Sequence, residues 1–332
     1  MQKKIIALAI AAAFSAPAFA DVTVYGIVDA AIAHTSKTGM KGDLTVISGG
    51  LSTSRLGVKS VEDLDNGMKA IAVVEYKLDV ANAAGIGAAR QQMVALAGGF
   101  GTVAAGFLQT TGYDFSTKFD PTAGSAVDTA AAVNPSTLIN TGARAPHAAA
   151  YISPNMGGVT VAYNHAFDVL NVGAVANGVT SVAGNKITAN LLSVTYEGGP
   201  LAVGGVYAAT ANDGIGYNKT TDMSLGASFD LTVVKLFGTY VTTKTNGGLG
   251  TDKAFAFHAV APVTDAGTVV FTIGKNTISS TVAADNTKGF TVAYLQSLSK
   301  TTTAYGAIQK LSKDGVTKTD TTVLAIGLRK KF

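Results

Sequence analysis

The sequence predicts an all-β fold, a 16-stranded antiparallel transmembrane β-barrel, on three observations. Apolar and polar residues alternate with a period of two along most of the chain, which marks strands with one apolar and one wet face. Short turn signals alternate with longer polar connections. An N-terminal export segment is followed by no apolar window long enough to form a transmembrane helix.

The export segment is "MQKKIIALAIAAAFSAPAFA". Lys3 and Lys4 precede an apolar run from Ile5 to Phe14, and Ala18-Phe19-Ala20 supplies a small-x-small cleavage pattern. The expected boundaries are therefore a signal peptide over 1–20 and a barrel domain over 21–332. The formal net charge is +4, and +2 once Lys3 and Lys4 leave, which gives no case for nucleic-acid binding. Cysteine is absent, so an exported chain must be held by a large core or a closed sheet instead of disulfides. Charged residues are 14% of the chain, against about 25% in soluble domains.

Strand patterning is clearest in three places. Met223, Leu225, Ala227, Phe229 and Leu231 share one face, opposite Asp222, Ser224, Gly226, Ser228 and Asp230. Met68, Ala70, Ala72, Val74, Tyr76 and Leu78 lie opposite Lys69, Glu75, Lys77 and Asp79. In the last strand Leu324, Ile326 and Leu328 lie opposite Arg329 and Lys331. Tight turns fall at Asp65–Gly67, Gly98–Gly101, Ser153–Gly158, Glu197–Pro200, Asp230–Leu231, Thr264–Gly267 and Ser297–Lys300. Longer polar connections are expected near 35–50, 80–89, 109–146, 170–186, 211–219, 244–253, 276–287 and 313–319. Seven short and eight long connections give sixteen strands.

An even number of strands with short turns at one end and long loops at the other is the pattern of an outer-membrane barrel, not of a sandwich. It also puts both chain ends on the short-turn side. Strand one, from Val22 to about His34, can then pair with strand sixteen, Asp320 to Phe332, and close the sheet. Phe332 ends that closing strand at a rim where aromatic girdles sit.

Several stretches together resemble the general porins of the neisserial and comamonad type. They are "VYGIVDAAIAH" (24–34), "STSRLGVKSVEDL" (52–64), "GGFGTVAAG" (98–106), "YISPNMGGVTVAY" (151–163), "LGASFD" (225–230), "LSKTTTAYG" (298–306) and "GLRKKF" (327–332). They occur in family order over nearly the whole mature chain. The resemblance implies a homotrimer of water-filled barrels, each narrowed by an inward-folded third external loop. Here the third connection, Gln109 to Pro146, is the longest, and a loop of that length is functional or disordered. The resemblance further implies outer-membrane lipid and lipopolysaccharide as surroundings. It makes Phe332 an assembly signal for the barrel-assembly machinery, and small hydrophilic solutes and anions the cargo.

Arg55 and Lys59 are four apart on one strand and share a face. A cation facing lipid at the midplane costs about 2–4 kcal/mol, so that face should be the lumen. By motif, the family's pore-lining basic cluster maps onto Arg55, Arg90 and Arg144. A ring of cations lowers the energy of a passing anion. Candidate partners are the loop acids Asp114, Asp120 and Asp128, which would hold the loop by pairing with the arginines. One departure from the family is Gly106-Phe107-Leu108, where many members carry a Gly-Arg pair. It would thin the basic wall and place an aromatic in it. Small residues at Gly26, Ala30, Ala33, Ala70, Ala72 and Gly98 to Gly101 agree with a trimer face near the first strands.

Catalysis finds little support in the residues. His34, His147, His165 and His258 are scattered, and no thiolate exists. Gly274-Lys275-Asn276 lacks the rest of a phosphate loop, and Ser297 to Lys300 sits in a turn context. The expectation is a passive diffusion channel with a weak anion preference, no cofactor and no metal. The alternatives are a channel specific for organic acids or aromatic compounds, using Phe107 and the third loop, or a secreted β-rich adhesin.

Overall fold

A computed structural model describes residues 20–82, 85–140, 142–169, 187–212, 219–248, 250–279, 285–315 and 318–332. All but the last residue of the expected signal peptide, and the connection expected at 170–186, lie outside the described residues.

Seventeen strands form one closed antiparallel sheet. In chain order the first nine are β1 (Ala20–Lys37), β2 (Met40–Ser48), β3 (Arg55–Asp63), β4 (Lys69–Leu78), β5 (Ile86–Gly98), β6 (Gly101–Gln109), β7 (Arg144–Ile152), β8 (Val159–Ala166) and β9 (Ile187–Gly198). The remainder are β10 (Leu201–Asn212), β11 (Thr220–Asp230), β12 (Lys235–Thr245), β13 (Thr251–Pro262), β14 (Gly267–Thr277), β15 (Asn286–Ser299), β16 (Thr302–Asp314) and β17 (Thr319–Lys331). Every strand pairs with its sequence neighbour except at one place. β2 runs beside Ala30–Lys37 of β1, while β3 runs beside Ala20–Ile27 of the same strand. β2 and β3 thus occupy one lane of the wall, interrupted at 49–54, and the barrel has sixteen lanes.

The first connection differs from its expected place. Instead of a loop over 35–50, the chain turns at Thr38-Gly39 and returns as β2. Gly39 has φ +77, the left-handed conformation that lets so short a reversal form. The interruption comes after it, and Asp29 organises it. The Asp29 carboxylate, fully buried, accepts from Leu51 N at 3.0 Å, Ser52 N at 2.7 Å and the Tyr305 hydroxyl at 2.5 Å. Backbone amides that leave a ladder need other partners, and one carboxylate provides them here.

Alternation sorts the wall into two faces. Val22, Val24, Ile32, Val58, Val74, Val94, Val103, Leu225, Phe257, Ile273, Leu324 and Ile326 are all exposed and share the outer face. Asp29, Glu75, Asn164, Asp222, His258, Thr272, Thr291 and Gln309 are buried on the other. Phe100, Tyr196, Phe229, Tyr294 and Phe332 mark the short-turn rim as exposed aromatics. Register also sorts the small residues. Gly26, Ala30, Ala70 and Ala72 face outward, but Ala33 pairs with Ala325 on the inward face and is buried.

The connection after β6 holds two helices, α1 (Thr111–Phe119) and α2 (Thr129–Val133). Thr110 caps α1 by accepting from Tyr113 N, and Asp128 caps α2 by accepting from Ala131 N. Both helices contact wall faces opposite the apolar belt, α1 on β8 to β12 and α2 on β13 to β15. Phe119 and Phe115 lie over Gly226, where an added Cβ would come within 2.5 Å of the Phe119 ring. Polar ties finish the seat: Thr111 hydroxyl to Ser193, Ser136 to Asp222, Asn276 to Val133 O at 2.9 Å, and Thr291 to Val127 O at 2.6 Å. At its tip, Ala126 N donates to Gly50 O at 3.0 Å, so the loop reaches the interruption that Asp29 maintains.

Closure runs from Ile27↔Lys331 to Lys37↔Thr321. Gly26 N donates to Phe332 O at 3.0 Å, and Phe332 N donates back to Gly26 O at 3.2 Å. The Phe332 ring lies over Gly26: a Cβ there would meet the ring at 2.5 Å and Arg55 O at 2.7 Å. Gly26→Val should therefore destabilise the closed barrel by about 1–3 kcal/mol. A lower urea midpoint and less heat-modifiable folded protein on gels would register it. Gly306→Ala, with nothing within 4 Å of the new methyl, should behave as the parent.

Candidate functional site

Three inward arginines converge where the long loop meets the wall. Arg55 opens β3 on the same face as Gly57 and Lys59. Arg90 occupies a bulge: Glu75 pairs with Gln91 and Tyr76 with Ala89, so Arg90 has no ladder partner opposite it. Bulges re-aim a side chain and free a carbonyl. Both effects are present, for Arg90 Nε reaches Glu75 Oε1 at 2.6 Å and Arg90 O accepts from Arg144 Nε at 2.8 Å. Arg144 opens β7. Beyond it, Ala145 pairs with Leu108 and Ala148 with Gly106, so Pro146 and His147 together oppose Phe107. Pro146 has no N–H to give, which suits the irregular position.

Glu75 on β4 holds the cluster together, with Arg55 Nε at 3.8 Å and Arg90 Nε at 2.6 Å from its two oxygens. Arg144 also donates to Gln109 Oε1 at 3.2 Å, and its guanidinium stacks 4.0 Å above the ring of Tyr113 on α1. The arrangement places two guanidiniums in contact with one carboxylate and a third beside them, tied to the Arg90 carbonyl.

The other sequence candidates fall elsewhere. Lys59 is exposed, forms no ion pair among the described residues, and lies about 13 Å along β3 from Arg55, towards the short-turn end. Asp114 on α1 remains open to the passage and accepts from Gln109 Nε2 at 3.4 Å. Loss of hydration inside the enclosing walls pushes its pKa up to about 6, against the opposing pull of Arg144, Gln109 and Lys118. Asp120 and Asp128 serve the loop's own backbone. Asp120 accepts from Thr122 N at 2.8 Å and Thr122 Oγ1 at 2.7 Å, and Asp128 caps α2. Burial and the nearby Asp120 carboxylate push the Asp128 carboxyl well above its ordinary range. Among the described residues no arginine forms an ion pair with a loop acid; the wall acid Glu75 takes that place. Phe107 pairs with Gln92 on the face of Val94 and Val103, and that register does not put it in the inner wall. Leu108 is the inward residue and packs with Phe115 and Phe119.

The family model for the Gram-negative porin matches residues 7–315. The chain is a Gram-negative porin. It is 33% identical to outer membrane porin protein 32 of Delftia acidovorans over 344 aligned positions, covering 96% of this chain and 92% of that one. It is 38% identical to the major outer membrane protein P.IB of Neisseria meningitidis over 116 positions, about a third of each chain. Among solved structures it is similar to an anion-selective porin from Comamonas acidovorans, at TM-score 0.77 and 26% identity, covering 94% of this chain and all of that one. The fold also matches the trimer form of OmpT from Vibrio cholerae, at TM-score 0.71 and 13% identity. This porin therefore sits in the outer membrane and forms a channel for passive diffusion.

Three residues, two of the porin's inner wall and one on the loop helix α1, escape a reading by motif. Glu75 shows in the sequence only as a wet-face acid on the strand after Arg55. Tyr113 is one of eleven tyrosines with no distinguishing neighbour. Asp29 is the sole charge in "VYGIVDAAIAH", an acid amid an apolar strand, and that isolation is the signal that marks it.

Replacing Glu75 with Gln removes the carboxylate that, among the described residues, contacts both Arg55 and Arg90. In planar bilayers under a salt gradient, Glu75→Gln should move the reversal potential towards the anion limit relative to the parent, by a few millivolts or more, with conductance retained. A shift towards cations would contradict the pairing.

Proposed function

We propose that this porin passes small hydrophilic solutes with a preference for anions. The third loop, folded into the lumen, sets the narrowest point, and Arg55, Arg90 and Arg144 line it. The observation that carries this reading is the charge imbalance of three guanidiniums against Glu75. Anions crossing a constriction walled by fixed cations meet a lowered barrier, and cations a raised one. The loop's contacts with inward faces from β8 to β15 support its place in the lumen. The anion-selective porin from Comamonas acidovorans, similar over its whole length, supports the sign. No energy source or conformational cycle is required.

The trimer form recorded for the Vibrio cholerae OmpT structure supports a homotrimer here, with the outward small residues Ala30, Ala70 and Ala72 available for a close-packed face, while Gly26 is covered by the Phe332 ring. We assign Phe332 as the terminal signal read during barrel assembly; its backbone ties to Gly26 and its exposed ring at the rim support that role. A channel specific for aromatic or organic-acid solutes loses its wall aromatic with Phe107 turned away.

Reversal potentials across a salt gradient test the reading. The parent should give the anion sign, in three-step conductance. Arg55→Gln, Arg90→Gln and Arg144→Gln should each reduce it, and the triple variant should abolish or reverse it. Cation preference in the parent would keep the channel and sink the role of the arginines.

The raised pKa of Asp114 gives the channel a pH dependence whose sign follows from its charge. Its pKa is raised to about 6, so it is charged above that value and neutral below. Anion preference should therefore increase as pH falls from about 7.5 to 5, and Asp114→Asn should show the low-pH preference at both values.

A further inference from the structure

The segment 50–53 is gripped from two directions. On the wall side, Asp29 Oδ2 accepts from Leu51 N at 3.0 Å and Ser52 N at 2.7 Å, and Arg329 Nη1 donates to Ser52 Oγ at 3.0 Å. On the lumen side, Ala126 N donates to Gly50 O at 3.0 Å, and Thr53 Oγ1 donates to Gly124 O at 3.4 Å. The segment therefore bridges the wall and the tip of the long loop, between α1 and α2.

Register explains why the bridge forms at this height. β3 pairs with β1 as far as Ile27↔Arg55, and β2 takes up the pairing from Ala30↔Ser48. Asp29 stands in the gap between the two. Its carbonyl accepts from Gly49 N at 2.8 Å and Ser54 Oγ at 3.0 Å, so backbone and side chain together span the interruption.

Tyr305 completes the grip from two lanes away. Its partner on β17 is Gly327, which pairs in turn with Ala31 of β1. A Cβ at 327 would clash with the Tyr305 hydroxyl, so the ring crosses β17 through a place that only glycine leaves open. At the far side the hydroxyl donates to Asp29 Oδ1 at 2.5 Å. It also lies where a Cβ at Gly50 would stand. Both the acid and the phenol are buried, and a buried carboxylate that loses a donor cannot turn to bulk water for another.

We propose that Asp29 and Tyr305 are positioning residues for the constriction. They hold segment 50–53 where it binds the loop tip, and so keep residues 120–126 against the wall and out of the passage. With this hold weakened, the tip swings across the lumen and closes it in part. The inference rests on the lumenal seat of the third loop proposed above, and is independent of the arginine cluster and of the sign of selectivity.

The test uses the full mature porin with two readouts: single-channel records in planar bilayers, and thiol labelling of Ser125→Cys. Ser125 lies on the tip with its Oγ shut off from water, and the chain has no other cysteine to react. Tyr305→Phe keeps the ring and removes only the hydroxyl. It should raise the time spent in partly closed substates on the order of tenfold, the weight of one hydrogen bond to a charged group. In the same background, labelling at position 125 by a charged thiol reagent should be faster by a similar factor. The fully open conductance, the reversal potential and heat-modifiable mobility should remain those of the parent. Tyr294→Phe removes a hydroxyl at the outer rim, where it bonds Gln296, and should match the parent in both readouts. Thr291→Val cuts the tip's separate tie at Val127 O and should increase closures whatever Asp29 and Tyr305 do. An effect of Thr291→Val with none of Tyr305→Phe would overturn the proposal and leave the loop in the lumen. Silence of both variants would overturn the proposal and the lumenal seat together. Closures without faster labelling would place the moving part elsewhere, and an equal effect of Tyr294→Phe would reduce the change to a loosened wall; either overturns the proposal.

Discussion

The ladder between β1 and β17 is the contact on which the rest depends. Hydrocarbon offers backbone N–H and C=O groups no partner, so a spanning sheet persists only when its first and last strands pair. Closure here extends from Ile27↔Lys331 to Lys37↔Thr321 and is finished by the reciprocal bonds between Gly26 and Phe332. The small side chain at 26 is what admits the terminal ring. With no cysteine in the chain, this non-covalent seam is what joins the two ends of the wall.

Closure creates an interior with two physical demands. The wall must stay apolar outside while its inner face meets water, and the long connection after β6 must be seated without a conventional core. The chain meets the second demand with a mixture of apolar packing and hydroxyl chemistry. Phe115 and Phe119 lie on a glycine of β11, while threonines, serines and asparagines of the wall take up the loop's backbone and side-chain groups. The far end of the loop is fixed indirectly. Asp29 and Tyr305 hold the 49–54 interruption, and Gly50 in that segment accepts from Ala126. A single buried carboxylate on the first strand thus reaches the geometry of the lumen.

The arginine cluster depends on irregularities of the same wall. A perfect ladder would pair Arg90 in register; the bulge frees its carbonyl for Arg144 and turns its guanidinium to Glu75. One carboxylate between two guanidiniums relieves their repulsion and fixes their positions, and leaves a net positive wall. Tyr113 ties that wall to α1 through the face of its ring, which adds contact without adding charge.

Much of this was legible in the residues. The period-two pattern of 222–231, 68–79 and 324–331 gave the correct outward faces, because alternation is a local consequence of strand geometry. Turn residues such as Asn66, with φ +60, marked the reversals for the same local reason. Arg55, Arg90 and Arg144 could be named by motif, but not what they touch. The hairpin at Thr38-Gly39, the interruption at 49–54 and the irregularity that sets Pro146 and His147 opposite Phe107 were not readable, since each is settled by which strand lies alongside. Asp120 and Asp128 could not be told from Asp114 by sequence, because capping depends on where helices begin and end. By itself the sequence determined the barrel, its two faces and its number of lanes, all properties of local pattern and of the lipid that surrounds it. Only the tertiary structure decided which charges meet. Glu75 and Arg90 are 15 residues apart and Asp29 and Tyr305 are 276 apart, and pairing across such separations is fixed by register between strands, not by any run of neighbouring residues.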